Sequence, residues 1–302
     1  MASLSHRQGW SLAALLAIFP YLLCAGADHD STITYRTGTS EVRVSFFATD
    51  EDNRPVDVID QNDFAVVDGD MVIRDFRSLT RSDETKLDIV VLVDTSESVA
   101  PRFHATAEQV LRLISQNHEG DNLSIITFAG LRPSVLCTAD CGSSAERKIR
   151  SLHPAGSTPL FDSLAFSAQY IAARHTPGVR QVLILLSDGN DTISGISARR
   201  ALDAVMGAGT LLYAINPNKA ERDPKGSFAL QEMAEATGGR SFSSQDAAEV
   251  LQAALADLRA SYVVTYALPS RTAGFHSLRI LPKHNLNLRF HCRRGYFYDE
   301  GR

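Results

Sequence analysis

The hydrophobic pattern changes twice along the chain. Around Glu41–Thr49, apolar and polar residues alternate, and runs of Asp, Asn, Gly and Pro separate the alternating segments. This period of two is typical of strands with one buried face. Between Leu87 and Ala260, wholly apolar runs such as Ile89–Val93 alternate with segments of helical spacing, which is typical of βαβ units and a parallel sheet. From Tyr262 onward the alternation of apolar and polar residues returns.

These changes predict the fold class and the domain order. We expect an α/β domain over residues 87–260, with a doubly wound, mostly parallel sheet flanked by helices. Over residues 31–86 the pattern predicts a small N-terminal β module. Over residues 261–302 it predicts strands, and we expect these to pack with the N-terminal module because both segments share the same alternation of apolar and polar residues. In the flanks the pattern predicts a strand over Met71–Phe76 and a β segment over Asn287–Phe297.

The first residues form a separate segment. Arg7 precedes an apolar run from Trp10 to Cys24, and the small residues Ala25, Gly26 and Ala27 follow it. This arrangement predicts a secretory signal peptide over residues 1–27 that is cleaved near Ala27. The alternative is a membrane anchor, but the apolar run is shorter than the ~20 residues that a bilayer span needs. We therefore expect a secreted or periplasmic mature chain with no membrane span.

The composition argues against a nucleic-acid partner and does not decide whether the cysteines form a disulfide. The formal net charge is -5, and no basic run interleaved with aromatic residues occurs, which argues against nucleic-acid binding. In an oxidising compartment Cys137 and Cys141 could close a small loop, with Cys292 left over. The alternative is that all three are ordinary thiols, and the spacing does not decide between the two. The sequence leaves the oligomeric state open.

Oxygen-bearing side chains follow the strands of the α/β segment. Asp94, Ser96 and Ser98 lie where the chain leaves the first buried strand, Thr158 precedes a predicted helix, and Asp188 follows another buried strand. Ligands of α/β sheets bind outside the carboxyl ends of the strands. Taken alone, the first loop is better explained as a capped helix start, and the other two could be only a helix entry and a turn. Their joint placement favours a divalent cation, because carboxylates and hydroxyls suit Mg²⁺, Mn²⁺ or Ca²⁺ rather than Zn²⁺.

The three loops occur in the order that one known family uses. Asp-x-Ser-x-Ser at residues 94–98, Thr158 and Asp188-Gly189 together resemble the von Willebrand factor A domain and its metal-ion-dependent adhesion site. The resemblance runs from about Leu87 to Ala260 and implies a Rossmann-like fold. It also implies a bound divalent cation, with Mg²⁺ expected first.

The resemblance implies a role for each matching residue. Ser96, Ser98 and Thr158 would touch the metal directly, while Asp94 and Asp188 would act largely through bound water. A cation held mainly by hydroxyls and water stays electrophilic, so it would accept a Glu or Asp carboxylate from a protein ligand.

The flanks carry a narrower resemblance. Asn62–Gly69, Gly274–Arg279 and Arg294–Phe297 look like segments of a family of secreted bacterial proteins related to the von Willebrand factor A domain and numerous in Acidobacteria. This match covers nearly the whole mature chain. Because that family has little assigned function, the match informs the architecture more than the activity.

Three hypotheses about function follow. The first is a secreted or periplasmic, adhesion-type module that binds a protein through the cation. The alternative is a structural or assembly scaffold of the cell envelope whose metal site is stabilising or vestigial. The third is a metal-dependent hydrolase, because a metal with an open position can activate water. We do not expect an enzyme, since the sequence has neither a Gly-x-Ser-x-Gly elbow nor a Gly-rich phosphate loop.

Overall fold

The structure is a computed structural model, and it describes residues 41–82, 86–116, 121–139, 141–176, 178–218, 224–243 and 247–298. The predicted signal peptide, residues 1–27, lies outside the described residues, as does the start of the predicted β module. Within the described ranges, we find no helix long and apolar enough to cross a bilayer.

The described residues form fourteen strands, six α-helices and one 3-10 helix. The strands are β1 Glu41–Thr49, β2 Phe64–Asp68, β3 Met71–Ile73, β4 Phe76–Arg81, β5 Leu87–Asp94, β6 Asn122–Phe128, β7 Ser134–Cys137, β8 Arg180–Leu186, β9 Leu211–Asn216, β10 Ser241–Ser243, β11 Tyr262–Ala267, β12 Gly274–Pro282, β13 Arg289–Cys292 and β14 Gly295–Tyr298. The helices are the 3-10 helix Glu97–Arg102, α1 Phe103–Gln116, α2 Ser143–Arg150, α3 Leu160–Ala172, α4 Ala198–Gly207, α5 Pro224–Thr237 and α6 Ala247–Arg259.

A six-stranded sheet forms the centre of the α/β part. Its strand order is β10-β9-β8-β5-β6-β7, and all its strands run parallel except the edge strand β7. Alternate residues of β5 pack into opposite cores. Val91 and Val93 face the core shared with α1, α2 and α6, whereas Val90 and Leu92 face the core shared with α3, α4 and α5. Burial on both faces explains why β5 is apolar throughout, and the predicted fold class is confirmed.

Strands from both ends of the chain form two further sheets. One has the order β13-β1-β11-β4 and the other β14-β12-β2-β3, and both are antiparallel. Their apolar faces share a core that includes Phe46, Phe64, Val264 and Ile280. The N- and C-terminal flanking strands thus pack together, as the pattern predicted. Phe47, the neighbour of Phe46 in β1, points the other way and joins the core of the central sheet.

Two predicted β segments of the flanks differ from the structure. The segment Asn287–Phe297 is not continuous: β13 and β14 belong to different sheets, and Arg293 and Arg294 connect them. The chain turns there because the Arg294 N–H donates to the Ala236 carbonyl of α5. The predicted strand Met71–Phe76 is likewise interrupted: Met71–Ile73 forms β3, and Phe76 begins β4, which belongs to the other sheet of the flanking β unit.

The structure resolves the alternative that the sequence left open for the cysteines. Cys137 at the end of β7 and Cys141 before α2 form a disulfide. Cys292 is a free thiol, and burial raises its pKa to about 11, which makes it a poor nucleophile at neutral pH.

Candidate metal centre

The first predicted loop follows β5 directly. Asp94 is the last residue of that strand, Ser96 precedes the 3-10 helix, and Ser98 lies in the first turn of that helix. One carboxylate oxygen of Asp94 accepts a hydrogen bond from the Ser96 N–H at 2.9 Å. The hydroxyl oxygens of Ser96 and Ser98 are 3.0 Å apart. Asp94 and Ser96 are fully buried, whereas Ser98 is exposed to solvent.

Backbone hydrogen bonds hold the Thr158 loop against this first loop. The Ala155 N–H donates to the Thr95 carbonyl at 2.9 Å, and the Glu97 N–H donates to the Gly156 carbonyl at 3.0 Å. Thr158 itself is buried and precedes α3. Among the described residues, its hydroxyl takes part in no hydrogen bond. The side-chain oxygen is therefore available to a ligand.

Asp188 follows β8, the strand that lies beside β5 in the sheet. The Asn190 N–H donates to one carboxylate oxygen of Asp188 at 3.1 Å, and the Asn216 side chain donates to the Asp188 carbonyl at 3.4 Å. The turn depends on Gly189, which has a φ of 85°. A Cβ atom at that position would lie 2.3 Å from the Gly226 carbonyl oxygen, so only glycine fits.

Further side chains, which the sequence did not single out, lock the three loops together. The Ser187 hydroxyl donates to the second carboxylate oxygen of Asp94 at 2.7 Å and so joins the β8 loop to the β5 loop. The Thr192 hydroxyl accepts from the Thr158 N–H at 2.8 Å, and the Thr192 N–H donates to the Thr158 carbonyl at 2.9 Å. The position of Ser187, directly after a buried strand and before Asp188, was the available sequence signal.

Acidic residues also fasten the β8 loop to the start of α3. Asp191 accepts from the Phe161 N–H at 3.3 Å, and Asp162 accepts from the Gly195 and Ile196 N–H groups at 2.9 and 3.1 Å. A carboxylate at a helix start, such as that of Asp191 here, satisfies a free N–H group and interacts favourably with the helix dipole. They fix α3, and with it Thr158, relative to Asp188.

Two carboxylates lie close together in this buried setting. Burial raises the pKa of the Asp94 carboxyl above its usual value, hydrogen bonds from Ser96 and Ser187 oppose the rise, and the negative charge of Asp188 adds to it. Within the described part of the chain, neither carboxylate forms an ion pair with Lys or Arg. The pair therefore lacks a compensating positive charge.

A family comparison matches this part of the chain. The model of the von Willebrand factor type A domain matches residues 88–257, more than half of the 302 residues. The chain belongs to the von Willebrand factor type A (VWA) domain family. The match begins in β5 and ends in α6, so it contains all three loops of the candidate site.

A comparison with solved structures finds similar chains from several organisms. An aerotolerance-related membrane protein from Bacteroides fragilis is 16% identical, covers 57% of this chain and 98% of its own, and has a TM-score of 0.47. The manganese-loaded TRAP protein of Plasmodium vivax is 16% identical, with coverages of 78% and 99% and a TM-score of 0.47. A von Willebrand factor type A protein from Catenulispora acidiphila is 12% identical, with coverages of 88% and 76% and a TM-score of 0.47. No curated protein matches the chain.

The oxygen atoms of the VWA site fit a hard divalent cation. Asp94 and Asp188 supply negative charge that the described protein leaves uncompensated, and Ser96, Ser98 and Thr158 supply hydroxyls. No group of three or more His, Cys, Asp or Glu side chains in the described ranges is placed to hold a metal. A metal at this edge of the sheet would therefore depend on the hydroxyls, a ligand set that suits Mg²⁺ or Mn²⁺.

Proposed function

We propose that the VWA domain binds a divalent cation with Asp94, Ser96, Ser98, Thr158 and Asp188, and uses it to bind an acidic residue of a protein ligand. The observation that carries this proposal is the pair of uncompensated carboxylates at the sheet edge where hydrogen bonds join the loops that bear the Ser96, Ser98 and Thr158 hydroxyls. In this arrangement Mg²⁺ is the first choice and Mn²⁺ or Ca²⁺ the alternatives.

The proposed site residues have two roles: the carboxylates supply negative charge, and the neutral hydroxyls leave a coordination position of the cation open to an external ligand. Both carboxylate oxygens of Asp94 accept hydrogen bonds, one from the Ser96 N–H and one from the Ser187 hydroxyl, and this supports a role for Asp94 through a bound water. Ser96, Ser98 and Thr158 are neutral, so direct ligation by them would leave most of the positive charge of a cation available. The chemistry that the cation would supply is Lewis acidity toward an external carboxylate. Ser98, at the exposed edge of the site, marks the side from which that carboxylate would enter.

Binding rather than catalysis suits this site. Asp94 and Asp188 are the only side chains we assign there that could accept a proton, and both are assigned to the cation. A general base must lie within hydrogen-bond reach of the proton that it takes. With the secretory segment expected at residues 1–27, we propose that the module works outside the cytoplasm, in secreted or periplasmic form.

Thermal unfolding with and without Mg²⁺ or Mn²⁺ tests the cation site. A ligand that binds only the folded state at about one hundred times its Kd stabilises it by about 2.7 kcal/mol, which a melting experiment resolves. We expect the wild-type protein to melt higher with the cation, and EDTA to reverse the shift. Ser96→Ala combined with Ser98→Ala should abolish it.

Ser115→Ala is a matched control, because Ser115 is an exposed serine on α1 whose hydroxyl donates only to the Arg112 carbonyl within the described structure. This variant should keep the full shift. An equal shift in the double variant and the wild type would refute the assignment of the site.

Affinity capture from envelope extracts separates adhesion from scaffolding. A partner that binds the wild type in Mg²⁺, is released by EDTA and is absent with the double variant supports recognition through the cation. A partner retained in EDTA and by the double variant would contradict it and favour the scaffold. Turnover of phosphoester or peptide substrates that Asp188→Ala abolishes would instead establish a hydrolase.

A further inference from the structure

The strand β3 has a free edge in one of the flanking sheets. It is the last strand in the order β14-β12-β2-β3, and among the described strands it pairs only with β2. Its Met71 and Val72 are 48% and 58% exposed, more than any other large apolar residue of a described edge strand. Edge strands are usually protected by Lys, Pro or a bulge. β3 contains none of these, so it can accept another strand.

The register of the β2–β3 hairpin shows which backbone groups of β3 point outward. A two-residue turn joins Asp68 to Met71, and these residues lie opposite each other. In such a hairpin the closing residues exchange hydrogen bonds, and bonded positions alternate along the strand. The backbone groups of Met71 and Ile73 therefore face β2, whereas those of Val72 face away from it. No described residue outside the hairpin bonds to the Val72 backbone.

The side chain of Val72 points away from the core. Its neighbour Ile73 packs on the core that the two flanking sheets share. Since successive side chains of a strand point to opposite faces, Val72 lies on the outer face of the sheet. A strand that pairs with β3 can therefore approach without opening that core.

The residues around Val72 are self-complementary in charge. Asp70 and Arg74 lie at equal distances before and after it in the sequence, both are exposed, and neither forms an ion pair with another described residue. When two copies of the segment run antiparallel with Val72 opposite Val72, Asp70 of each copy comes opposite Arg74 of the other. A shift of this register by one bonded position would place one of the charges opposite Val72 instead. The charges therefore favour a single register.

We propose that the protein forms a two-fold symmetric dimer in which β3 pairs antiparallel with β3 of a second copy, with Val72 opposite Val72. The two sheets of order β14-β12-β2-β3 then join into one continuous sheet. A second copy fits this edge because a two-fold contact requires a self-complementary surface, and the segment supplies both the acid and the base. The paired segment is short, so we expect a weak dimer with a Kd of about 10–200 µM.

Charge reversal with sedimentation equilibrium tests the proposal. Asp70→Arg and Arg74→Asp each bring like charges opposite each other, so each variant alone should dimerise at least about tenfold more weakly than the wild type. An equimolar mixture of the two variants restores both pairs of opposite charges. It should form a heterodimer with an affinity within about threefold of the wild type. Arg112→Asp, which reverses an exposed charge on α1, should dimerise like the wild type.

Three results would overturn the proposal. The first is a wild-type protein that stays monomeric at about 1 mM. The second is a pair of reversed variants that each dimerise as strongly as the wild type. The third is a mixture that associates no better than either variant alone.

Disulfide cross-linking provides a second test that does not depend on charge. Opposed residues that exchange hydrogen bonds have Cα atoms ~5.5 Å apart, which suits a disulfide. Val72→Cys should therefore cross-link to itself under mild oxidation. Asp70→Cys should cross-link only when it is mixed with Arg74→Cys, because the two copies of position 70 lie about 13 Å apart in this register. Self-linking of Asp70→Cys as fast as that of Val72→Cys would refute the register.

The dimer and the metal centre can be tested separately. The β2–β3 hairpin shares no residue with the loops that bear Asp94, Thr158 and Asp188. The variant that combines Ser96→Ala with Ser98→Ala should therefore dimerise like the wild type, and Asp70→Arg should keep its thermal stabilisation by Mg²⁺.

Discussion

His291 in β13 should make the stability of the protein depend on pH. Its ring stacks on Phe47 with centroids 4.6 Å apart and an interplanar angle of 9°, and its Nε2 lies 3.0 Å from the Thr49 hydroxyl. Burial, with the positive charges of Arg240 and Arg289, lowers the pKa of this imidazole from 6.5 to about 4. The folded protein therefore holds His291 in the neutral form.

The sign and size of the effect follow from this pKa. In the unfolded chain His291 becomes protonated below about pH 6.5, whereas in the folded protein it stays neutral down to about pH 4. The free energy of unfolding therefore decreases as the pH falls from about 6.5 to about 4. At 1.36 kcal/mol for each pKa unit, the shift is worth at most about 3 kcal/mol. Because the side chain is partly exposed, we expect a loss of about 2 kcal/mol between about pH 7 and about pH 4.5.

Urea unfolding followed by circular dichroism measures this loss. His291→Gln cannot take up the proton, so its free energy of unfolding should fall by about 2 kcal/mol less than that of the wild type over the same pH range. His104→Gln, at an exposed position on α1, is the matched control and should follow the wild type. Equal losses in His291→Gln and the wild type would refute the reasoning.

Two further substitutions test the packing around the site and the sheets. Gly189→Ala should cost about 1–3 kcal/mol more than Gly178→Ala in chemical unfolding. Both glycines have positive φ, but only at Gly189 would the new Cβ meet the Gly226 backbone; equal costs would contradict the close approach. Phe47→Ala should cost about 3–5 kcal/mol because the ring is 1% exposed in the central core. Val58→Ala, at an 81% exposed position, should cost less than about 0.5 kcal/mol, and a similar cost for both would contradict the core assignment.

The sequence predicted the central sheet for a physical reason. A strand that is apolar on both faces, such as β5 or β8, can bury both faces only inside a sheet that is covered by helices. The carboxyl ends of parallel strands share one edge, so Asp94 and Asp188 had to emerge near each other. The hydrogen bonds of Ser187 and Thr192 could not be predicted in this way, because they depend on the backbone path of the turns.

The flanking sheets were less predictable. Alternation shows that β13 and β14 each have one buried face, but the pattern is the same whichever sheet a strand joins. The separation at Arg293 and Arg294 is set by contacts with α5, far away in the sequence.

The pairing of β1 has a consequence for the order in which the molecule is completed during synthesis. Glu41 pairs with Ala267, and Phe46 pairs with Cys292, so β1 leaves the ribosome long before either of its partner strands. Contacts so distant in sequence form slowly and leave apolar strands exposed to aggregation. All βαβ units of the central sheet are translated in that interval. The two antiparallel sheets, one of which contains the first described strand, are therefore the last part of the protein that can close.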